Sequence, residues 1–169
     1  GGFQWDYTGG GNGFDRGADI KADNSGNVYA CGTDVTSSVF SEIVTLKFQP
    51  DGTQMMQEYL DNGIDSNDVA VKISIDQQGN VYTAGNVETL NQGNNIALVK
   101  YNSSGVQQWI RYYNAASNGN ENARDMKIDA SGNIYLTGSS FNTASNLDYI
   151  TVKYNSSGTY LWAARYIGD

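Results

Sequence analysis

An all-β fold made of three tandem copies of one four-stranded antiparallel unit is predicted by three observations. Asp23-Asn24-Ser25-Gly26-Asn27-Val28-Tyr29 returns as Asp76-Gln77-Gln78-Gly79-Asn80-Val81-Tyr82 and again as Asp129-Ala130-Ser131-Gly132-Asn133-Ile134-Tyr135, each time after 53 residues. Lys47-Phe48, Lys100-Tyr101 and Lys153-Tyr154 keep the same step, each followed by a turn and a strand-like run. Period-two alternation bounded by Gly, Asn, Asp and Ser fills the repeats, and no sustained helical periodicity interrupts it. A fixed period of about fifty residues marks one supersecondary unit used repeatedly.

Each repeat divides into strands A to D. Strand A is expected near Ala18–Ala22, Val69–Ile75 and Ala123–Ile128, and strand B over Asn27–Cys31, Asn80–Ala84 and Asn133–Thr137. Strand C is expected over Ile43–Phe48, Ile96–Tyr101 and Tyr149–Tyr154, and strand D over Gln54–Leu60, Val106–Tyr113 and Thr159–Tyr166. Phe3–Thr8 reads as a further copy of strand D. Strand C carries Val44, Leu46 and Phe48 on one face and Ile43, Thr45 and Lys47 on the other. Both faces are partly apolar, as expected of sheets stacked face to face. Strand D places Trp5, Met56, Trp109 and Trp162 at one equivalent position, large side chains that would fill space between neighbouring sheets.

Asp-x-x-Gly-Asn joins A to B, where Gly supplies the positive φ of a tight turn and the Asp and Asn side chains bond local backbone. Pro50-Asp51-Gly52, Asn102-Ser103-Ser104-Gly105 and Asn155-Ser156-Ser157-Gly158 do the same between C and D. The B–C connections (Gly32–Glu42, Gly85–Asn95, Gly138–Asp148) and D–A connections (Thr8–Arg16, Asp61–Asp68, Asn114–Asn122) are longer and variable. In a meander, alternate connections share an end. One end therefore carries the constant turns and the other the variable loops, where recognition is expected.

The chain has 169 residues, a formal net charge of −8, and ten Lys and Arg with no basic run. Nucleic acid and anionic membrane are poor partners for such a surface, and no apolar run approaches a membrane span. The abundance of Asn, Ser, Gly and Tyr suggests a secreted or cell-surface protein. Cys31 is the one cysteine, which excludes an internal disulfide. Its repeat equivalents are Ala84 and Thr137, so a small buried strand position is expected rather than a reactive thiol. The chain begins Gly1-Gly2 without a signal peptide or initiator Met and reads as a processed form or an excerpt.

Asp-x-x-Gly-Asn-[Val/Ile]-Tyr-x-x-Gly followed by Lys-[Phe/Tyr]-x-x-x-Gly-x-x-x-Trp resembles the bacterial SBBP-type β-propeller repeat. Trp109 stands at the Trp position in the second repeat, Met56 departs from it in the first, and Gly32, Gly85 and Gly138 keep the final Gly. The resemblance covers nearly the whole chain. It implies four-stranded blades in secreted or surface-attached bacterial proteins, and no catalytic residues. Blades are expected at about 9–60, 61–113 and 114–166, with 1–8 as an extra outer strand. A propeller closes with about four to eight blades, so 1–169 reads as a partial propeller, or as one completed by a second chain. A three-fold β-trefoil is the alternative architecture.

There is no histidine, which removes the commonest general base and most transition-metal sites. Asp15, Asp68 and Glu121 occupy equivalent places before strand A at the variable-loop end. They are the metal candidates, as an acidic ring suited to calcium; the alternative is a loop carboxylate bonding backbone N–H groups. Asp23, Asp76 and Asp129 are expected to form turns. Lys47, Lys100 and Lys153 are expected in salt bridges with their stems along the sheet, a ligand-binding ring being the other reading. Asn102 and Asn155 match the N-glycosylation pattern and also spell turns. Gly9-Gly10-Gly11-Asn12-Gly13 lacks the features of a phosphate loop and reads as a flexible inter-blade loop.

These readings point to a non-enzymatic structural or binding module with no cofactor, its rigid blades presenting variable loops to a protein or glycan. Phe3, Gln4, Trp5 and Tyr7 form the candidate partner edge, because an unpaired strand templates β-augmentation. Self-association or flanking blades would complete the ring. The alternative is a fragment of a propeller enzyme, polysaccharide-active or quinoprotein-like, whose catalytic parts lie mostly elsewhere.

Overall fold

A computed structural model of the chain describes residues 14–35, 40–60, 66–90, 93–115, 119–141 and 147–167. They form twelve strands and no helix. Sheet 1 contains β1 (Arg16–Ala22), β2 (Val28–Asp34), β3 (Glu42–Phe48) and β4 (Gln54–Leu60). Sheet 2 contains β5 (Val69–Ile75), β6 (Val81–Thr89), β7 (Gly93–Tyr101) and β8 (Gln107–Tyr113). Sheet 3 contains β9 (Glu121–Ile128), β10 (Ile134–Phe141), β11 (Leu147–Tyr154) and β12 (Tyr160–Tyr166). Each is an antiparallel meander in chain order.

The strand ladders run further into the B–C connections than the sequence pattern predicts. β6 reaches Thr89 and β7 begins at Gly93, with Glu88 opposite Asn94 and Thr89 opposite Gly93. Polar residues hide this extension, since a hairpin ladder is made by backbone groups and needs no apolar alternation. Gly93 takes a φ of +70° at the hairpin end, and Thr89 Oγ1 donates to its carbonyl at 2.9 Å. A bulge recurs at one position of all three A strands, between Gly17 and Asp19, Ala70 and Lys72, and Ala123 and Asp125.

The sheets stack face to face in sequence order. β5 lies against β1, β2 and β3, and β9 lies against β5, β6 and β7. The first interface buries Tyr29, Cys31, Ile43, Met56 and Leu60 of sheet 1 against Ala70, Ile73, Val81, Ala97, Val99 and Tyr101 of sheet 2. The second buries Tyr82, Ala84, Ile96 and Leu98 of sheet 2 against Ala123, Met126, Ile134, Leu136, Ile150, Val152 and Tyr154 of sheet 3. Each repeat position thus faces the same way in both interfaces. Burial of apolar area on both faces of the middle sheet is the main stabilising term.

Polar contacts recur at the same joints. The Ala70 backbone N–H donates to Thr33 Oγ1 at 3.1 Å, and the equivalent Ala123 N–H donates to Asn86 Oδ1 at 2.7 Å. One buried pair changes type: Thr45 and Thr83 hydroxyls lie 2.9 Å apart between sheets 1 and 2, where Leu98 and Leu136 stand in the next interface. Near the variable loops, Ser41 N–H donates to Ser66 O and Asp68 N–H to Ser41 O, both at 3.0 Å.

Candidate functional site

Asp15, Asp68 and Glu121 sit just before β1 or β5 or at the start of β9, and each faces its own sheet. Asp15 is exposed and its Oδ1 accepts the Val35 N–H at 3.1 Å. Asp68 is buried; its Oδ1 accepts the Glu88 N–H at 3.0 Å and the Ser66 hydroxyl at 2.7 Å. Val35 and Glu88 are themselves repeat equivalents, so the carboxylate closes the end of the A–B ladder in both sheets. Among the described residues, no three His, Cys, Asp or Glu side chains come together as a metal-ligand group.

Glu121 is one methylene longer and does something different. Its Oε1 accepts the Ser140 hydroxyl at 2.8 Å, Arg165 Nη2 donates to Ser140 Oγ at 2.8 Å, and Arg165 Nη1 donates to Asp148 Oδ2 at 2.9 Å. Each strand of sheet 3 therefore supplies one member of a polar chain. Glu121 is fully buried, and that burial holds its carboxyl above the ordinary range, with the Ser140 hydrogen bond acting against the shift. The repeat equivalents of Ser140 and Asp148 in sheet 2 are Val87 and Asn95, so the chain is specific to sheet 3.

The opposite end carries the constant turns. Asp76 Oδ1 accepts the Gln78 and Asn80 backbone N–H groups, both at 2.9 Å, while Oδ2 accepts Asn80 Nδ2 at 2.7 Å and the Tyr82 hydroxyl at 3.0 Å. Asp23 and Asp129 make the same four bonds. The Asn27 and Asn133 side chains are the chief cause that holds these two carboxyls below the ordinary range. Asn102 Oδ1 and Asn155 Oδ1 accept backbone N–H groups of their own turns in the same manner.

The recurrent lysines have partners other than the expected carboxylates. Lys47, Lys100 and Lys153 place Nζ over the rings of Tyr29, Tyr82 and Tyr135, at 5.2, 5.1 and 4.9 Å from the centroids. Lys47 Nζ also donates to Ser103 O at 3.0 Å and Lys100 Nζ to Ser156 O at 3.2 Å, each a carbonyl in the C–D turn of the following sheet. Between the turns of sheets 2 and 3 lies a cleft of about 540 Å³, with Gln77, Gln78, Lys100, Asp129, Ser131 and Ser156 in its walls. The turn end, expected to be architecture alone, thus offers a concave surface of amides, hydroxyls, the turn carboxylates Asp76 and Asp129, and one ammonium.

An ion-pair chain that sequence reasoning missed links the three A strands. Lys72 Nζ lies 3.5 Å from Asp19 and 3.3 Å from Asp125, joining β5 to β1 and β9. Residues 19, 72 and 125 are repeat equivalents, and that spacing was the available signal. Cys31 is buried in the first interface, and burial pushes its thiol up to about 12. Phe3, Gln4, Trp5 and Tyr7 lie outside the described residues, as does the Gly9–Gly13 run. No family model and no curated protein matches the chain.

Proposed function

We propose that this chain is a non-enzymatic structural and binding module of a secreted or cell-surface bacterial protein, its three sheets serving as β-propeller blades. The observation that carries this reading is the use made of the recurrent polar residues. The turn aspartates, the strand-C lysines and the carboxylates Asp15 and Asp68 each hold a strand end, a turn or a neighbouring sheet. Such an arrangement makes a stiff frame and leaves variation to the B–C and D–A connections. Meander order within each sheet and face-to-face stacking of successive sheets support blades over a trefoil, whose strands would pair between repeats. The resemblance to the SBBP-type repeat rests on the same turn and packing positions.

The partner is a protein or a glycan. The cleft between the turns of sheets 2 and 3 combines amide and hydroxyl groups with the Lys100 ammonium and the turn carboxylates Asp76 and Asp129, a mixture of donors and acceptors that suits a hydroxyl-rich ligand. A glycan array and a pull-down with the intact chain test this reading. Specific capture that weakens in a Gln77→Ala, Gln78→Ala variant supports it. Turnover of a polysaccharide by the isolated chain, lost on replacing Asp68 or Glu121, overturns it.

A further inference from the structure

The outer face of sheet 3 is the same surface that sheets 1 and 2 bury. Ile43, Met56 and Leu60 of sheet 1 are 0, 7 and 1 % exposed beneath sheet 2, whereas their equivalents Tyr149, Trp162 and Tyr166 are 53, 41 and 68 % exposed. The difference lies in position along the stack, since sheet 3 has no following sheet among the described residues. The large side chains are retained, and an aromatic cluster of this kind marks an interaction surface.

The matching surface lies on sheet 1. Ile73 and Met126, on the faces that receive the preceding sheet, are 0 and 2 % exposed, while their equivalent Ile20 is 62 % exposed. Val28, Ala30 and Leu46 on that face are half-buried, and Val44 and Phe48 are buried. The polar joints are also present in kind. Thr33 and Asn86 receive the backbone N–H of residues 70 and 123; the next positions in the series are Ser139, an acceptor, and the Gly17 N–H. Lys153 continues Lys47 and Lys100, whose ammonium groups reach the turn of the following sheet.

We infer that a second copy of this chain docks the receiving face of its sheet 1 on the outer face of sheet 3. The contact repeats, between chains, the joint that operates twice within each chain. It is head-to-tail, and two copies related by a two-fold axis make two such contacts and close a ring of six sheets, within the size range of propellers. The inference rests on reading the sheets as blades. One position opposes it: Asp125 would meet Asp19 of the second copy, where Lys72 separates these carboxylates within the chain.

The test is the solution mass of the intact chain over a dilution series, with two single variants. Trp162→Lys alters the outer face of sheet 3 and Ile20→Lys the receiving face of sheet 1; both side chains are exposed in the single chain, so unfolding midpoints in urea should be nearly unchanged when measured at dilution. The inference predicts a two-copy species for the parent. It predicts that either variant weakens association by about thirtyfold or more, the size of a central aromatic hot spot. It also predicts that a mixture of the two variants forms a mixed pair, because one of its two contacts joins unaltered faces. A monomeric parent overturns the inference, as does a dimer that Ile20→Lys leaves intact, which would mean sheet 3 pairs with sheet 3. Species larger than two copies overturn the two-copy ring. A monomer that still captures a glycan or protein leaves the binding-module reading standing, while a dimer that turns over polysaccharide does the reverse.

Discussion

Trp109 lies directly over the α-carbon of Gly158, so that a methyl group there would come within 2.9 Å of the indole. Met56 holds the same relation to Gly105 one sheet earlier. Both glycines have left-handed φ, +77° at Gly158 and +86° at Gly105, so both positions are doubly constrained. Gly158→Ala should cost about 2–3 kcal/mol, combining φ strain with overpacking against a rigid ring. Gly105→Ala should cost about 1 kcal/mol less, since the flexible Met56 side chain can move aside. Urea denaturation of the two variants checks the order; equal costs would mean that the indole yields as easily as the thioether.

Lys72 stands between Asp19 and Asp125 and joins all three sheets. Burial acts to lower its pKa, but the two carboxylates prevail and hold it above the ordinary lysine value. Lys72→Met should lose about 1 kcal/mol, because it removes two partly exposed pairs and leaves two carboxylates facing each other. The loss should shrink in high salt, and adding Asp19→Asn should recover part of it. A double-mutant cycle over Lys72 and Asp19 measures the coupling, which is expected to be favourable.

Asp76 accepts four hydrogen bonds within its own turn and strand. Asp76→Ala leaves two backbone donors, the partly buried Asn80 amide and the Tyr82 hydroxyl without that partner and should destabilise by about 2–3 kcal/mol. Asp76→Asn keeps an acceptor and should cost about half as much. Thermal unfolding of both variants gives the comparison.

Two groups of carboxyls act oppositely on stability as pH changes. Asp23 and Asp129 are held below the ordinary range, so their contribution is complete above the unfolded value of about 3.9 and is lost as pH falls through their lower folded values. Glu121 is held above its ordinary value by burial, so its ionisation opposes folding at neutral pH and the penalty disappears as pH falls from its folded value towards the unfolded one. Stability should therefore rise slightly on mild acidification and then fall. Glu121→Gln should raise stability at neutral pH and remove the rise, while Asp23→Asn should flatten the later fall. Urea midpoints between about pH 7 and pH 2 record both limbs.

The repeats were legible because Asp-x-x-Gly-Asn performs an identical task in each copy, and identical tasks preserve identical residues. Strand C was legible for a similar reason, with Ile96, Ala97, Leu98 and Val99 of the middle sheet buried on both faces as stacked sheets require. The lysine partners were less visible, although pairing Tyr29 with Lys47 across the B–C ladder places ring and ammonium together. The Asp19–Lys72–Asp125 chain escaped because its function depends on the residues differing from copy to copy, which a search for recurring letters passes over. The Glu121–Ser140–Arg165–Asp148 chain occurs in one sheet and is assembled from four strands, so no local pattern records it.

The measurement that tests the account most directly is a nuclear Overhauser spectrum of the isotopically labelled chain. Stacking of successive sheets in one fixed register predicts cross-peaks between the Trp109 indole protons and the Gly158 α protons, across sheets 2 and 3, and between the Met56 side chain and the Gly105 α protons, across sheets 1 and 2. Well-resolved Trp109 and Gly158 signals with no cross-peak between them, in a chain whose strands are formed, would contradict it.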